Sequence, residues 1–322
     1  MRRQIHIINP LWAADAGSEA RTLRMYEMLR LQADVRLWTG YTPAEEIARK
    51  YPINHLDARR LIFPKTGTFI FVGSYYMFGR WPMLTMPRRI VLLYNTPDDQ
   101  LLTSNLTRFR WPQLPAVEMV YASKELADRC GIPGIVQISP IDLKRFSLPT
   151  ERAARPFTVG RLSRDSPVKH HPGDAALYHR FADSGYHVRI MGGASLQPQL
   201  AGSPSIELLA TMAEDPVAFL HGLDCFYYRT TDEWPEPYGR VVFEAMACGL
   251  PIVVHRAGGY AKYITHGLDG FLFDTADEAE QLVGELAAAP ALRKRIGLAA
   301  RSTVERMYGD AYDEELSRFY LS

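Results

Sequence analysis

The sequence predicts an α/β protein of two parallel-sheet domains, and three observations predict it. Its 322 residues correspond to about two domains of ordinary size, each with its own core. Short apolar, β-branched runs alternate with stretches of helical spacing, the pattern of parallel strands joined by crossover helices. Residues 148–156 carry two prolines amid mixed charge and read as a linker. The expected domains are therefore 1–150 and 151–310, with residues 311–322 as a last helix packing back on the first.

Composition narrows the function classes. A hydrophobic fraction of 47% and a charged fraction of 23% are those of a soluble globular protein. No apolar run is long enough to span a bilayer, and Arg2-Arg3 is followed by a run broken at His6 and Asn9 rather than by a signal peptide. Cys130, Cys225 and Cys248 are far apart and fit no zinc spacing, as expected of a reduced, cytoplasmic protein. The net charge of +1 conceals an asymmetry: residues 1–150 hold 20 Lys+Arg against 13 Asp+Glu (+7), the remainder 17 against 23 (−6). A basic first half suits an anionic surface or acceptor, and ordinary scatter of surface charge is the bland alternative.

In order, Gln4–Asn9 reads as a buried strand, followed by a small-residue loop and a helix over Glu19–Leu31, with Ser18 as its cap. Gly17 would let the backbone approach a ligand. Strands follow at Val35–Trp38, Leu61–Phe63, Thr68–Val72 and Arg89–Tyr94. Between the last two, residues 75–89 mix aromatics, methionines and arginines. They read as a core-packing helix with loop ends, or else as part of an acceptor site or an interfacial patch. Asn95–Asp99 sits at a strand's carboxyl end, where ligands gather. Val117–Ala122 is a strand, Ser123 caps a helix over Lys124–Cys130, and Ile135–Ile138 closes the half.

The second half opens with a strand ending Gly160-Arg161-Leu162, with Arg164 and Lys169 downstream. His170 and His171 are adjacent, so their side chains diverge and a metal site is not expected. Further strands are expected at Val188–Met191, Ile206–Leu209 and Asp224–Tyr228. The chain then reaches the stretch around which the half is organised, Glu236 to Val254. Pro237 keeps Glu236 extended, Gly239–Cys248 is helix-compatible, Gly249 is placed for a left-handed cap, and Ile252–Val254 reads as a fully covered strand. The helix start leaves the amides of Tyr238, Gly239, Arg240 and Val241 available to sugar hydroxyls or phosphate oxygens. Helices over 277–288 and 291–308, then a tail over 312–320, complete the chain.

Glu236 and Glu244, followed at once by Ala245-Met246-Ala247-Cys248-Gly249-Leu250-Pro251, resemble the glutamate–seven residues–glutamate signature of retaining GT-B glycosyltransferases, family 4 (glycosyl transferases group 1). The resemblance covers most of residues 157–310 and the first half only loosely. It implies a GT-B fold, two Rossmann-like domains whose parallel sheets face a cleft, with the acceptor side in the first and the nucleotide sugar in the second. It implies Glu236 on the donor sugar, Glu244 on the ribose, and Arg161 and Lys169 on the diphosphate, with Arg164 a rival cation. Tyr238, Gly239 and Arg240 would hold sugar hydroxyls, and Gly17 would face the diphosphate. The chain departs from the family pattern in four places: the Gly17 loop has one glycine where many relatives have two, the Arg161–Lys169 spacing is long, the 210–212 loop lacks a glycine, and Lys262 stands where relatives carry glutamate.

The implied function is a metal-independent, hexosyltransferase-type retaining glycosyltransferase. Its donor would be a nucleoside diphosphate sugar and its acceptor a glycan or lipid-linked hydroxyl, in bacterial surface polysaccharide assembly. Peripheral contact at the inner membrane face is expected through the basic first half, and nucleic acid is not an expected partner. No aspartate–any–aspartate triplet is present to anchor a metal, and no cofactor is expected. The alternatives are a non-catalytic GT-B subunit binding a partner transferase or a glycan, and a sugar-nucleotide epimerase.

Overall fold

The computed structural model describes residues 2–13, 16–95, 99–150, 155–234 and 236–322. The expected acceptor-border stretch at 95–99 and the linker thus fall partly outside the described residues. The chain divides into two compact units, one running to Pro140 and resuming at Ala311–Ser322, the other Ile141–Asp310.

The first unit holds β1 (Gln4–Ile8), β2 (Asp34–Thr39), β3 (Ile53–His55), β4 (Thr68–Val72), β5 (Arg89–Tyr94), β6 (Val117–Tyr121) and β7 (Gly134–Val136). They form one parallel sheet in the order β3-β2-β1-β4-β5-β6-β7. Side chains alternate between its two faces, as the period of two requires. Ile70 and Val72 join Ile5, Ile7 and Leu37 beneath the helix Gly17–Leu29, while Phe69 and Phe71 turn the other way toward Phe78, Trp81 and Phe109. The tail helix Asp310–Leu321 lies on the first of these faces. Leu316 and Tyr320 enter that core, Tyr320 donates to Gln137 at 2.7 Å, and Arg24 pairs with Asp313 at 2.6 Å.

The second unit holds β8 (Thr158–Leu162), β9 (His187–Met191), β10 (Ile206–Leu209), β11 (Cys225–Tyr228), β12 (Ile252–His255) and β13 (Phe271–Phe273), parallel in the order β10-β9-β8-β11-β12-β13. In both sheets the order reverses beside the first strand, at β1/β4 and at β8/β11. These are the switch points where open α/β sheets hold ligands. Ile252, Val253 and Val254 are fully buried, each contributing about 1.5–3 kcal/mol of apolar burial. Gly249 takes the left-handed conformation (φ 67°) after the helix Arg240–Ala247, as expected.

Several expectations need correction. The first helix begins at Gly17, so Ser18 lies inside its first turn; its hydroxyl accepts from Asn9 Nδ2 at 3.1 Å instead of capping. Leu61–Phe63 is no strand, because the chain turns back there through an isolated bridge between Asp57 and Ile62. Residues 75–89 are not an α-helix: Gly79 at φ 78° and Pro87 leave only a 3-10 turn at Trp81–Leu84, although Tyr76, Phe78 and Trp81 do reach the core. The helices Glu45–Lys50 and Asp99–Phe109 and the short β3 were not expected. The two compact units divide after Pro140. Ile141 and Phe146 are buried within the second unit, where Arg301 binds the carbonyls of Phe146 (2.6 Å) and Ala247 (2.8 Å).

Candidate functional site

At the carboxyl edge of the six-stranded sheet, the segments leaving β8 and β11 meet. The 3-10 turn Pro167–Lys169 delivers Lys169, and Glu236, followed by Pro237, stands just ahead of the helix Arg240–Ala247. The Lys169 ammonium forms an ion pair with Glu236 Oε2, with only 11% and 13% of the two side chains exposed. Tyr228, the last residue of β11, donates to the same oxygen at 2.8 Å. Burial alone would raise the Glu236 pKa, but Lys169, the Tyr228 hydroxyl and Arg164 outweigh it and hold the carboxyl below its ordinary value. Burial, then the Glu236 charge, push the Tyr228 hydroxyl well above its ordinary pKa, so it remains a donor.

The backbone around Glu236 is fixed by close approach. The Gly259 amide donates to the Glu236 carbonyl at 2.7 Å, and a Cβ at Gly259 would lie 2.0 Å from the Pro237 carbonyl oxygen. Gly239, the N-cap, is left-handed (φ 75°) and lies against Tyr260. The Gly258-Gly259 pair after β12 therefore shapes the helix entrance from the neighbouring strand. Thr230, Asp232, His255, Gly258 and Tyr260 line a cavity of about 290 Å³ beside it.

Behind the pair lies an ionic layer that includes Arg161. Its side chain is fully buried; Nη1 donates to the Arg229 carbonyl at 3.0 Å, Nη2 to the Lys169 carbonyl, and the guanidinium lies 5.0 Å over the Tyr228 ring. Asp174 stands 3.6 Å away and accepts from Arg229 (3.0 Å) and Tyr227 (2.8 Å). The Arg161 guanidinium is thus turned into the unit. It braces the backbone of Lys169 from inside. Arg164, three residues on, is exposed and acts on Glu236 through its charge.

The other expected residues fall as follows. Glu244 is buried and paired with Arg240 at 2.7 Å along the helix. The Tyr238 ring is stacked on Phe243 and its hydroxyl meets Tyr308, so only its backbone is placed to serve a ligand. Gly17 opens its helix, and a Cβ there would meet nothing within 4 Å. His170 bonds the Gly192 carbonyl at 2.9 Å, and His171 Nδ1 accepts from the Gly173 amide at 3.0 Å. In the 210–212 loop, Met212 takes the left-handed conformation (φ 59°).

Sequence reasoning missed Tyr228, Asp174 and Asn9. Asn9 leaves β1 and donates to the Val72 carbonyl at 2.9 Å and the Tyr75 hydroxyl at 3.3 Å. It also accepts from the amide of Leu11, which is left-handed at φ 57°. An asparagine at the end of an apolar run was the available signal.

Two doubly wound parallel sheets, each with its switch point beside its first strand, are of the GT-B fold. Anabaena Alr3699/HepE, solved in complex with UDP-glucose, superposes with a TM-score of 0.75 over 98% of this chain and 99% of that one, at 13% identity. Residues 199–303 match the family model of Glycosyl transferases group 1. Two curated relatives are the D-inositol 3-phosphate glycosyltransferase of Corynebacterium jeikeium (29% identical, 56% of this chain, 49% of that protein) and the capsular polysaccharide biosynthesis glycosyltransferase CapM of Staphylococcus aureus (24% identical, 50% and 44%). The chain thus spans about half the length of these relatives.

Proposed function

We propose that this protein is a retaining, family 4 glycosyltransferase that moves a sugar from a nucleoside diphosphate sugar to a hydroxyl of a glycan or lipid-linked acceptor. The observation that carries the reading is the Lys169–Glu236–Tyr228 cluster at a helix entrance beside a switch point, inside a stretch that precedes and then overlaps the family match. Lys169 and Arg164 meet the charge that builds on the departing diphosphate, and Glu236 orients the sugar. The acceptor oxygen bonds to the anomeric carbon on the face from which the diphosphate leaves, and a diphosphate oxygen takes the acceptor proton. Glu244 acts on the ribose, the amides of Tyr238–Arg240 on sugar hydroxyls, and Gly17 on the diphosphate. Arg161 serves through the Lys169 backbone. The chemistry is taken to be metal-independent and hexosyl-transferring. Surface polysaccharide assembly at a cytoplasmic membrane face is the proposed setting, and the name of the CapM relative supports it.

A panel of UDP-, GDP-, dTDP- and ADP-sugars, followed by diphosphate release and by thermal shift with the free nucleotides, tests this. One nucleotide should raise the melting temperature and its sugar should turn over. Glu236→Gln and Lys169→Ala should each lower turnover about 100-fold or more while staying folded. Binding without turnover would favour the non-catalytic subunit, and donor interconversion without acceptor an epimerase. Undiminished turnover in both variants would overturn the site.

A further inference from the structure

The first unit carries a surface that the proposed reaction does not use. Three segments, 57–65, 80–88 and 108–113, lie side by side over the aromatic face of its sheet. The Met86 amide donates to the Lys65 carbonyl at 2.9 Å, the Phe63 and Trp81 rings meet tilted with centroids 5.7 Å apart, and Gln113 donates to the Met83 carbonyl at 2.8 Å. Their buried side points Phe63, Trp81 and Phe109 inward. Their outer side exposes Leu61 (59%), Leu84 (62%) and Met86 (73%), with Ile62 and Trp111 about half exposed.

Large apolar side chains gathered on a surface call for an occupant, and two observations identify it. The first is charge. The three segments contain Arg59, Arg60, Lys65, Arg80, Arg88, Arg108 and Arg110 against Asp57 alone, so 7 − 1 = +6 of the +7 excess of residues 1–150 lies here. That single carboxylate accepts from the amides of Arg59 (3.0 Å) and Arg60 (3.1 Å) and pairs with the Arg60 guanidinium at 3.6 Å. The second is strain. Leu61 is left-handed (φ 57°), a conformation costly for a branched residue, and it is held by paired backbone bonds between Asp57 and Ile62, both 2.8 Å. The turn is thereby locked with Arg-Arg-Leu-Ile at its tip rather than folding its apolar residues inward.

We propose that this surface docks the protein on an anionic phospholipid membrane, with leucine, methionine and tryptophan entering the headgroup boundary and the arginines pairing with lipid phosphates. A second copy of the chain is disfavoured because it would set +6 against +6. A nucleic acid would have no use for the exposed leucines and methionine. Among the described residues no helix is long and apolar enough to cross a membrane.

The test is co-sedimentation of the full chain with vesicles of phosphatidylcholine alone or mixed with one-third phosphatidylglycerol. It needs neither donor nor acceptor and so is independent of the transferase reading. The protein should partition at least about tenfold more strongly onto the anionic vesicles, and less so at high salt. Arg59→Gln/Arg60→Gln and Leu84→Ser/Met86→Ser should each weaken partitioning about tenfold with unchanged melting temperature. Equal binding to both vesicles, binding untouched by either pair, or a dimer that these pairs dissociate would overturn the proposal.

Discussion

The two units follow one recipe and place different chemistry at the same point of it. Both sheets are parallel and reverse strand order beside their first strand. At that point the first unit has Asn9, whose amide ties the Val72 carbonyl, Ser18 and Tyr75 together, with Glu19 accepting from Tyr75 at 3.2 Å. The second unit has Arg161, held between the carbonyls of Arg229 and Lys169 and beside Asp174. The first switch point sets one buried carboxylate, Glu19, among neutral hydrogen bonds, whereas the second is built from buried ion pairs. Buried charge is costly unless fully paired, so it marks where the fold holds a cation in position. That cation is Lys169.

The contrast can be broken or sharpened experimentally. Arg161→Met should cost about 3–5 kcal/mol, because it leaves Asp174 short of a cation in a buried layer. Urea unfolding followed by hydrogen exchange should place the loss in the second unit. A loss shared by both units would remove the distinction. Acid should act on the two alike. His6 and His170 are buried, and burial, then Arg36 and Arg161 respectively, lowers each pKa to about 4. Between pH 6.5 and about 4 the unfolded chain binds protons that the native imidazoles refuse. Stability is therefore full above 6.5 and falls as pH drops, by up to about 3 kcal/mol per histidine. Stability measured across that window checks this, and in Arg161→Met the His170 contribution should shrink while that of His6 stays.

Asn9→Ala should cost about 1–3 kcal/mol by chemical denaturation, from buried groups left without the amide. Tyr228→Phe is the mildest change. It keeps the ring under Arg161 but removes the donor to Glu236, so thermal stability should hold while turnover falls about tenfold. The Glu236 pKa should rise, moving the acid limb of the activity profile upward. An unmoved limb would mean the hydroxyl does not act on Glu236.

Much of the fold was legible in the sequence. Thr68–Val72 and Arg89–Tyr94 are strands with the expected bounds, because covered parallel strands read as near-continuous apolar runs, and the half-buried edge strand Ile206–Leu209 also has its expected bounds. Ser123 caps its helix, its hydroxyl accepting from the Leu126 amide at 3.4 Å, because capping is local chemistry. Leu61–Phe63 misled because an apolar triplet carries no record of the turn that places it. Glu236 was found through its neighbours in sequence, whereas its partner Lys169 is 67 residues away and Tyr228 ends the strand β11.

The sequence by itself determined the alternation of strands and helices, the helix entrance at Glu236–Arg240 and the excess of positive charge in the first half. These are written in spacing, capping and composition, which act between near neighbours. Tertiary structure alone decided that Arg161 faces inward, that Lys169 meets Glu236, and that scattered arginines and leucines share one surface. Each depends on which distant segments the sheets bring together, and burial and charge pairing are properties of that neighbourhood rather than of the residue.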